Sequence, residues 1–264
     1  MTNALIGHTG FVGSNLAQQT AFTHCYNSST IGGISGQSFD TVVCAGVRAV
    51  KWWANQNAEA DWQSINALQD TLRTVRAKKF ILISTIDVFA DSHSRADETA
   101  VPPENSQAYG KHRLQFEEWV KAHFPDTMIV RLPGLFGPFL KKNIIFDLLT
   151  NNQLGNINPA TSFQWYDMRR LWSDINITQR AGLKLVHCMP APVATTAIID
   201  TCFPGAVVGP EKPNGARYDI RTVHGKLFGG TDDYMASEEQ SLAAIADFVS
   251  AVRKGNLPIS TPAP

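Results

Sequence analysis

An α/β fold built on a doubly wound parallel sheet is the class this sequence predicts, on three observations. Short apolar runs, Ala4 to Ile6, Val42 to Val47, Phe80 to Ser84, Met128 to Leu132 and Lys184 to Met189, have the length of strands buried on both faces. Longer stretches, Gly13 to Ala21, Glu59 to Arg76 and Tyr109 to Phe124, carry helix formers with apolar residues three and four apart. Strand and helix alternate, which in a parallel sheet requires right-handed crossovers.

The individual elements vary in strength. Thr30 to Asp40 is rich in Gly and Ser and too short for a full crossover helix, so the second crossover is expected to be abbreviated. Beyond about Gly137 the alternation weakens and Trp165, Tyr166 and Trp172 appear among several Pro and Gly, which suggests a small C-terminal lobe. Ser237 to Arg253 opens with a Ser cap and the acids Glu238 and Glu239, then repeats apolar residues at helical spacing, and predicts a C-terminal helix. Leu257 to Pro264 is Pro-rich and expected to fray.

Length and charge narrow the class further. A chain of 264 residues can bury a sizeable core. Lys+Arg and Asp+Glu both number 23, so neither nucleic acid nor a membrane surface is an expected partner. The four cysteines, Cys25, Cys44, Cys188 and Cys202, stand singly in mostly apolar runs without zinc-site spacing; reduced, buried thiols and no metal site are expected. No apolar run approaches the roughly 20 residues of a membrane-spanning helix. The first strand candidate begins almost at Met1, leaving no room for a secretory signal, so a cytoplasmic location is expected.

Gly7-His8-Thr9-Gly10-Phe11-Val12-Gly13 follows the first strand and opens the first helix. In such a turn Gly7 permits the tight bend, Gly10 lets the backbone approach a pyrophosphate, and Gly13 lets helix pack closely on strand. The amides of Thr9, Phe11 and Val12 lie at the helix N-terminus, which favours an anion. A ligand-free glycine turn is the plainer alternative. The fold class sharpens to a Rossmann-type doubly wound parallel sheet with a small C-terminal substrate lobe. The expected division is 1–140 for the dinucleotide domain, 141–256 for the lobe interleaved with the last strands and C-terminal helix, and 257–264 for a tail. The second strand ends in Asn27 and Ser28 with no acid to take the ribose hydroxyls, so either NADP or NAD fits, with the lean to NADP.

With Tyr109-Gly110-Lys111-His112-Arg113 added, the chain resembles the extended short-chain dehydrogenase/reductase family of nucleotide-sugar epimerases, dehydratases and reductases. Further segments match in order: Ala45, Gly46 and Val47 at a strand end, Asn66 in the next helix, Ser84-Thr85-Ile86-Asp87-Val88-Phe89, and Arg131-Leu132-Pro133-Gly134-Leu135-Phe136-Gly137-Pro138. The resemblance implies that Gly7 to Gly13, Asn27, Ser28, Ala45 to Val47, Asn66 and Pro133 serve the dinucleotide. It also implies hydride transfer to or from a sugar carbon, with Tyr109 as general acid/base, Thr85 bonded to the same oxygen, and a homodimer.

A phenol with a pKa of about 10 needs a nearby cation to ionise at neutral pH. The family places a Lys four residues after the Tyr; this chain has Arg113 there, while Lys111 falls on another helix face. Two readings therefore stand: an active site with Arg in place of Lys, or a dinucleotide-binding sensor or scaffold without turnover. Asp87, Asn143, Gln164, Trp165, Tyr166 and Arg170 are the substrate-side candidates; Asn143 equally suits a helix cap, and Trp165 and Tyr166 equally suit a core. Sugar dehydratases of the family carry an acid directly after the Thr. Here that position is Ile86, which disfavours dehydration and leaves a reductase or an epimerase.

Overall fold

The computed structural model describes residues 2–104, 107–231 and 233–260. In chain order the elements are β1 (Asn3–Ile6), α1 (Phe11–Gln19), β2 (His24–Tyr26), β3 (Ser38–Cys44), α2 (Lys51–Gln56), α3 (Ala58–Leu72), β4 (Arg76–Thr85), α4 (Ala108–His123) and β5 (Thr127–Leu132). There follow β6 (Gly134–Phe136), α5 (Ile144–Thr150), β7 (Ser162–Phe163), β8 (Trp165–Asp167), α6 (Leu171–Arg180), β9 (Leu185–His187), β10 (Val193–Ala194), α7 (Thr195–Cys202) and α8 (Glu238–Arg253). The chain forms two compact units, one of Met1–Asp91, Glu98–Leu132 and Ile175–His187, the other of Ser92–Asp97, Pro133–Asp174 and Cys188–Pro264.

The first unit holds a six-stranded sheet in the order β2-β1-β3-β4-β5-β9, parallel throughout. Its central strands are apolar on both faces, and every residue of β5 is buried, as a sheet covered by helices on two sides requires. Ile65 and Leu72 of α3 and Phe116 and Val120 of α4 close one face against Val42, Phe80 and Leu82. From β1 the order runs outward to β2 on one side and to β3 on the other. The C-terminal ends of β1 and β3 therefore flank the topological switch point, where open α/β sheets bind ligands. The abbreviated second crossover is a single 3-10 turn, Ile31–Ile34.

Beneath the sheet's C-terminal half lies a buried polar cluster. The Arg131 guanidinium bonds both Glu117 carboxylate oxygens at 3.1 and 2.6 Å and lies 3.2 Å from His187 Nε2, while the Ser84 hydroxyl donates to Glu117 at 2.5 Å. Arg131 of the family-like turn thus holds β5 to α4 and β9.

The second unit contains two two-stranded sheets, β7 with β10 antiparallel and β6 with β8 parallel. Helix α8 begins with a reciprocal cap: Gln240 N donates to Ser237 Oγ at 3.1 Å and Ser237 N donates to Gln240 Oε1 at 2.8 Å. Among the described residues no helix is long and apolar enough to cross a membrane.

Two expectations need correction. Cys25 is exposed, because β2 is an edge strand with only β1 beside it; Cys44, Cys188 and Cys202 are buried free thiols. The start of the tail is ordered rather than frayed: Pro258 O accepts from Phe139 N at 2.7 Å and Ser260 N donates to Leu140 O at 2.9 Å, so Pro258 takes part through its carbonyl, where its missing N–H costs nothing. Residues 261–264 lie outside the described residues.

The cap carries a stability expectation. Ser237→Ala strands the Gln240 amide and should cost about 1 kcal/mol in denaturant unfolding. An unchanged midpoint would show that α8 does not depend on its cap.

Candidate active site

The glycine turn is built as the switch point requires. Gly7 has φ +87°, and a Cβ there would lie 2.5 Å from Ala45 O. At Gly13 a Cβ would lie 2.1 Å from Gly7 O, so only glycine lets α1 pack this close to the turn. Gly7 N donates to Tyr26 O at 2.7 Å and Ala45 N to Ile6 O at 2.9 Å, so the ends of β1, β2 and β3 are stitched together around the bend. The first bond one turn back along α1 is Ser14 N to Gly10 O at 2.8 Å. Phe11, Val12 and Gly13 precede it, and their amides form the helix's donor end. Thr9 and Gly10 are exposed beside them.

At the end of β2, the Asn27 side-chain oxygen caps the next turn, accepting from Ser29 N at 3.0 Å and Thr30 N at 3.2 Å, while Ser28 is exposed. The buried His8 Nδ1 has no hydrogen-bond partner among the described residues. Gly46 is exposed and Val47 partly buried after β3; Asn66 is half-buried on α3. Pro133 directly follows β5 in the chain and belongs to the second unit.

Tyr109 lies in the first turn of α4, 8 % exposed, with its amide donating to Asn55 Oδ1 at 2.9 Å. Arg113, one turn on and 4 % exposed, sets its guanidinium carbon 4.0 Å from the Tyr109 ring centroid. The guanidinium is held on all sides: Nη1 bonds Asp61 Oδ2 at 2.6 Å and Tyr109 O at 3.1 Å, and Nη2 bonds Asp61 Oδ1 at 2.9 Å and Arg48 O at 2.5 Å. His112 Nδ1 lies 2.8 Å from the same Asp61 Oδ2. Burial pushes the Asp61 carboxyl up, but the bonds and charges of Arg113 and His112 outweigh it and hold the carboxyl below its usual range.

Thr85 ends β4, and its hydroxyl accepts from Asp87 N at 3.1 Å. Asp87 in turn pairs with Lys51 Nζ at 2.6 Å. Burial raises the Tyr109 phenol above its ordinary value; the Arg113 charge lowers it, Asp87 raises it further, and Lys51 and the Thr85 hydroxyl lower it. Tyr109, Arg113, Thr85 and Asp87 are thus brought together in the first unit. Sequence reasoning missed Asp61, Asn55, Arg48 and Lys51. Asp61 did leave a signal, since it shares the buried stripe of α3 with Ile65, Gln69 and Leu72.

The substrate-side candidates other than Asp87 lie in the second unit. Asn143, at φ +128°, caps α5 by accepting from Phe146 N at 3.0 Å and donates to Leu135 O at 2.8 Å. Gln164 spends its amide inside the unit, donating to Pro190 O and Ile220 O at 2.7 Å each and accepting from Ile220 N at 2.9 Å. Trp165, Tyr166 and Arg170 help line one cavity of about 270 Å3, together with Phe136, Phe228 and residues of α8. The Tyr166 hydroxyl donates to the buried Asp174 at 2.7 Å, and Arg170 lies 3.4 Å from the same carboxylate. Among the described residues no group of three His, Cys, Asp or Glu is placed to hold a metal ion.

A parallel sheet with a glycine turn at its switch point defines the α/β class that takes dinucleotides. The profile of the NAD dependent epimerase/dehydratase family matches residues 4–176, and the chain belongs to that family, within the extended short-chain dehydrogenases/reductases. Solved structures share the fold at low identity. A UDP-N-acetylglucosamine 4-epimerase from Methanobrevibacter ruminantium, in complex with UDP-N-acetylmuramic acid, superposes with TM-score 0.76 at 13 % identity over 96 % of this chain and 98 % of that one. A dTDP-4-dehydrorhamnose reductase from Clostridium acetobutylicum gives 0.72 at 14 % over 96 % and 100 %. RMD from Pseudomonas aeruginosa, complexed with NADPH, gives 0.67 at 15 % over 94 % and 99 %. No curated protein sequence matches the chain.

Removing Arg113 strands a buried carboxylate. Arg113→Ala should destabilise the protein by about 3–5 kcal/mol, whereas Arg73→Ala at an exposed pair should cost under about 1 kcal/mol. Equal unfolding midpoints for the two variants would contradict the buried pair.

Proposed function

We propose that the chain is an NAD(P)-dependent oxidoreductase or epimerase acting by hydride transfer on a nucleotide-linked sugar or similar hydroxy/keto compound, with Tyr109 as general acid/base. The observation that carries the reading is the buried Tyr109 phenol with a guanidinium against its ring, and with Thr85 among the groups that lower its pKa. A phenol in that setting has a polar partner for its proton and a fixed charge favouring phenolate.

The residues at the switch point suit a dinucleotide. Any side chain at Gly7 or Gly13 would fill the bend, and the donor end of α1 offers its amides to a diphosphate. When bound, the dinucleotide would supply or accept the hydride. Gly7 to Gly13 would hold the diphosphate, Ala45 to Val47 would flank it, and Asn66 and Pro133 are assigned to the same cofactor. Tyr109 would give its proton to the substrate oxygen during reduction and take it back during oxidation, with Thr85 orienting that oxygen. Arg113 would stabilise phenolate from the ring face, its hydrogen bonds being committed to Asp61, Arg48 and Tyr109.

Reduction or epimerisation is favoured over dehydration because Ile86 is a buried hydrocarbon in the acid's position. Trp165, Tyr166 and Arg170 are the proposed substrate contacts in the second unit, where Arg170 and Asp167 bring charge to a cavity that aromatic side chains also line. Asn143 and Gln164 would support that unit from within.

NADP(H) is the proposed cofactor over NAD(H), since no acid follows β2 and the Asn27 oxygen is taken by its own turn. Calorimetry should show NADPH binding at least as tightly as NADH, and Gly10→Val should abolish both by placing a side chain in the diphosphate's path. A clear preference for NADH, or full affinity in the variant, would overturn those assignments. NADPH oxidation against a panel of nucleotide-linked 4-keto sugars should occur in the wild type and fall at least about 100-fold in Tyr109→Phe. Binding without oxidation of any member would favour a sensor or scaffold of the same fold.

A further inference from the structure

The position one turn after Tyr109 holds an arginine whose terminal nitrogens are committed to Asp61, Arg48 O and Tyr109 O. Its charge is fixed in place, and a guanidinium keeps its protons at every accessible pH. Another charged group works against ionisation: Asp87, only two residues from Thr85, with Asp87 Oδ2 3.4 Å from Thr85 Oγ1. A phenolate forming at Tyr109 would feel the Asp87 carboxylate as a like charge in a buried setting, where such repulsion is strong. Lys51, the first residue of α2, closes on Asp87 at 2.6 Å. Its side chain is 40 % exposed and that of Asp87 19 %, so the pair reaches from solvent to the Thr85 hydroxyl.

We propose that Lys51 is a positioning residue for the acid/base step at Tyr109: through its ion pair it neutralises Asp87 and so keeps the phenol able to give up its proton. The inference rests on the proposed role of Tyr109. The groups facing that phenol are Arg113 from its own helix, backed by Asp61 of α3 and His112; Thr85 at the end of β4; Asp87 of the following 3-10 turn; and Lys51 of α2. An ammonium thus serves the tyrosine from a different helix, with a carboxylate between them.

The pair gives the test a sign. Lys51→Met removes the ammonium paired with Asp87 and should raise the pH at which Tyr109 ionises, whereas Asp87→Asn removes the opposing charge and should lower it. Lys51→Arg keeps the charge and should behave as wild type, and the double variant should return close to it, since the two charges act on each other. Damage to the fold would not produce opposite shifts.

The direct readout is the NMR shift of tyrosine labelled with 13C at Cζ, titrated in each variant, with Tyr109→Phe assigning the resonance among the five tyrosines. Tyr109 is expected to titrate about one pH unit earlier in Asp87→Asn than in Lys51→Met, a tenfold difference in phenolate fraction at fixed pH. A Tyr109 resonance that titrates no earlier in Asp87→Asn than in Lys51→Met overturns the proposal, as does a Lys51→Arg variant that follows Lys51→Met. Because this readout needs no substrate, it remains decisive if the protein fails to oxidise NADPH, an outcome that would count against the proposed function instead.

Discussion

The buried ion pair between Arg113 and Asp61 is the contact on which the candidate site depends. It joins α4 to α3, reaches the loop after β3 through Arg48 O, and fixes the first turn of α4 by bonding Tyr109 O. Charges this deeply buried pay a desolvation cost that only close, bidentate geometry offsets. Here the geometry meets that condition, with His112 completing the carboxylate's shell. The result is a tyrosine whose backbone and ring are both held, the ring by the guanidinium and the amide by Asn55.

That arrangement changes how the family's usual pattern is filled. A lysine four residues after the tyrosine would present a mobile point charge, whereas Arg113 is locked by its planar fork and cannot reach elsewhere. The favourable charge on Tyr109 therefore comes from a fixed face contact, and the adjustable part of the local field passes to Lys51 and Asp87 on neighbouring elements. Exposure follows the same division. The fixed pair is buried, and the adjustable pair is open to solvent on the lysine side.

The architecture was legible because its signals are local. The glycine turn, the runs of β1 and β5, and the period of α4 all come from residues close in sequence, and the short Gly-rich connection before β3 turned out to be one 3-10 turn. Strand limits were less legible. β4 extends back to Arg76 because Lys78 and Lys79 pair outward with Asp40 and Asp126, so charged residues occupy a strand that an apolar count starts at Phe80. The apolar run beyond Cys44 leaves the sheet at Ala45, where the backbone bends toward the glycine turn. Tyr109, Thr85 and Arg113 were singled out through the family resemblance. Their partners were not, since Asp61 and Lys51 lie 52 and 36 positions from the groups they pair with. In the second unit, the lone buried Gln164 gave no sequence sign that its amide would be consumed by backbone.

On the proposed function, this site moves a hydride and does not merely hold a dinucleotide. A single-turnover reaction with reduced dinucleotide deuterated at C4 tests it most directly, using a nucleotide-linked 4-keto sugar and mass analysis of the product. Hydride transfer places one deuterium on the carbon that carried the carbonyl, at a rate that depends on Tyr109. Tight binding of the dinucleotide with its deuterium retained against every such substrate would contradict it.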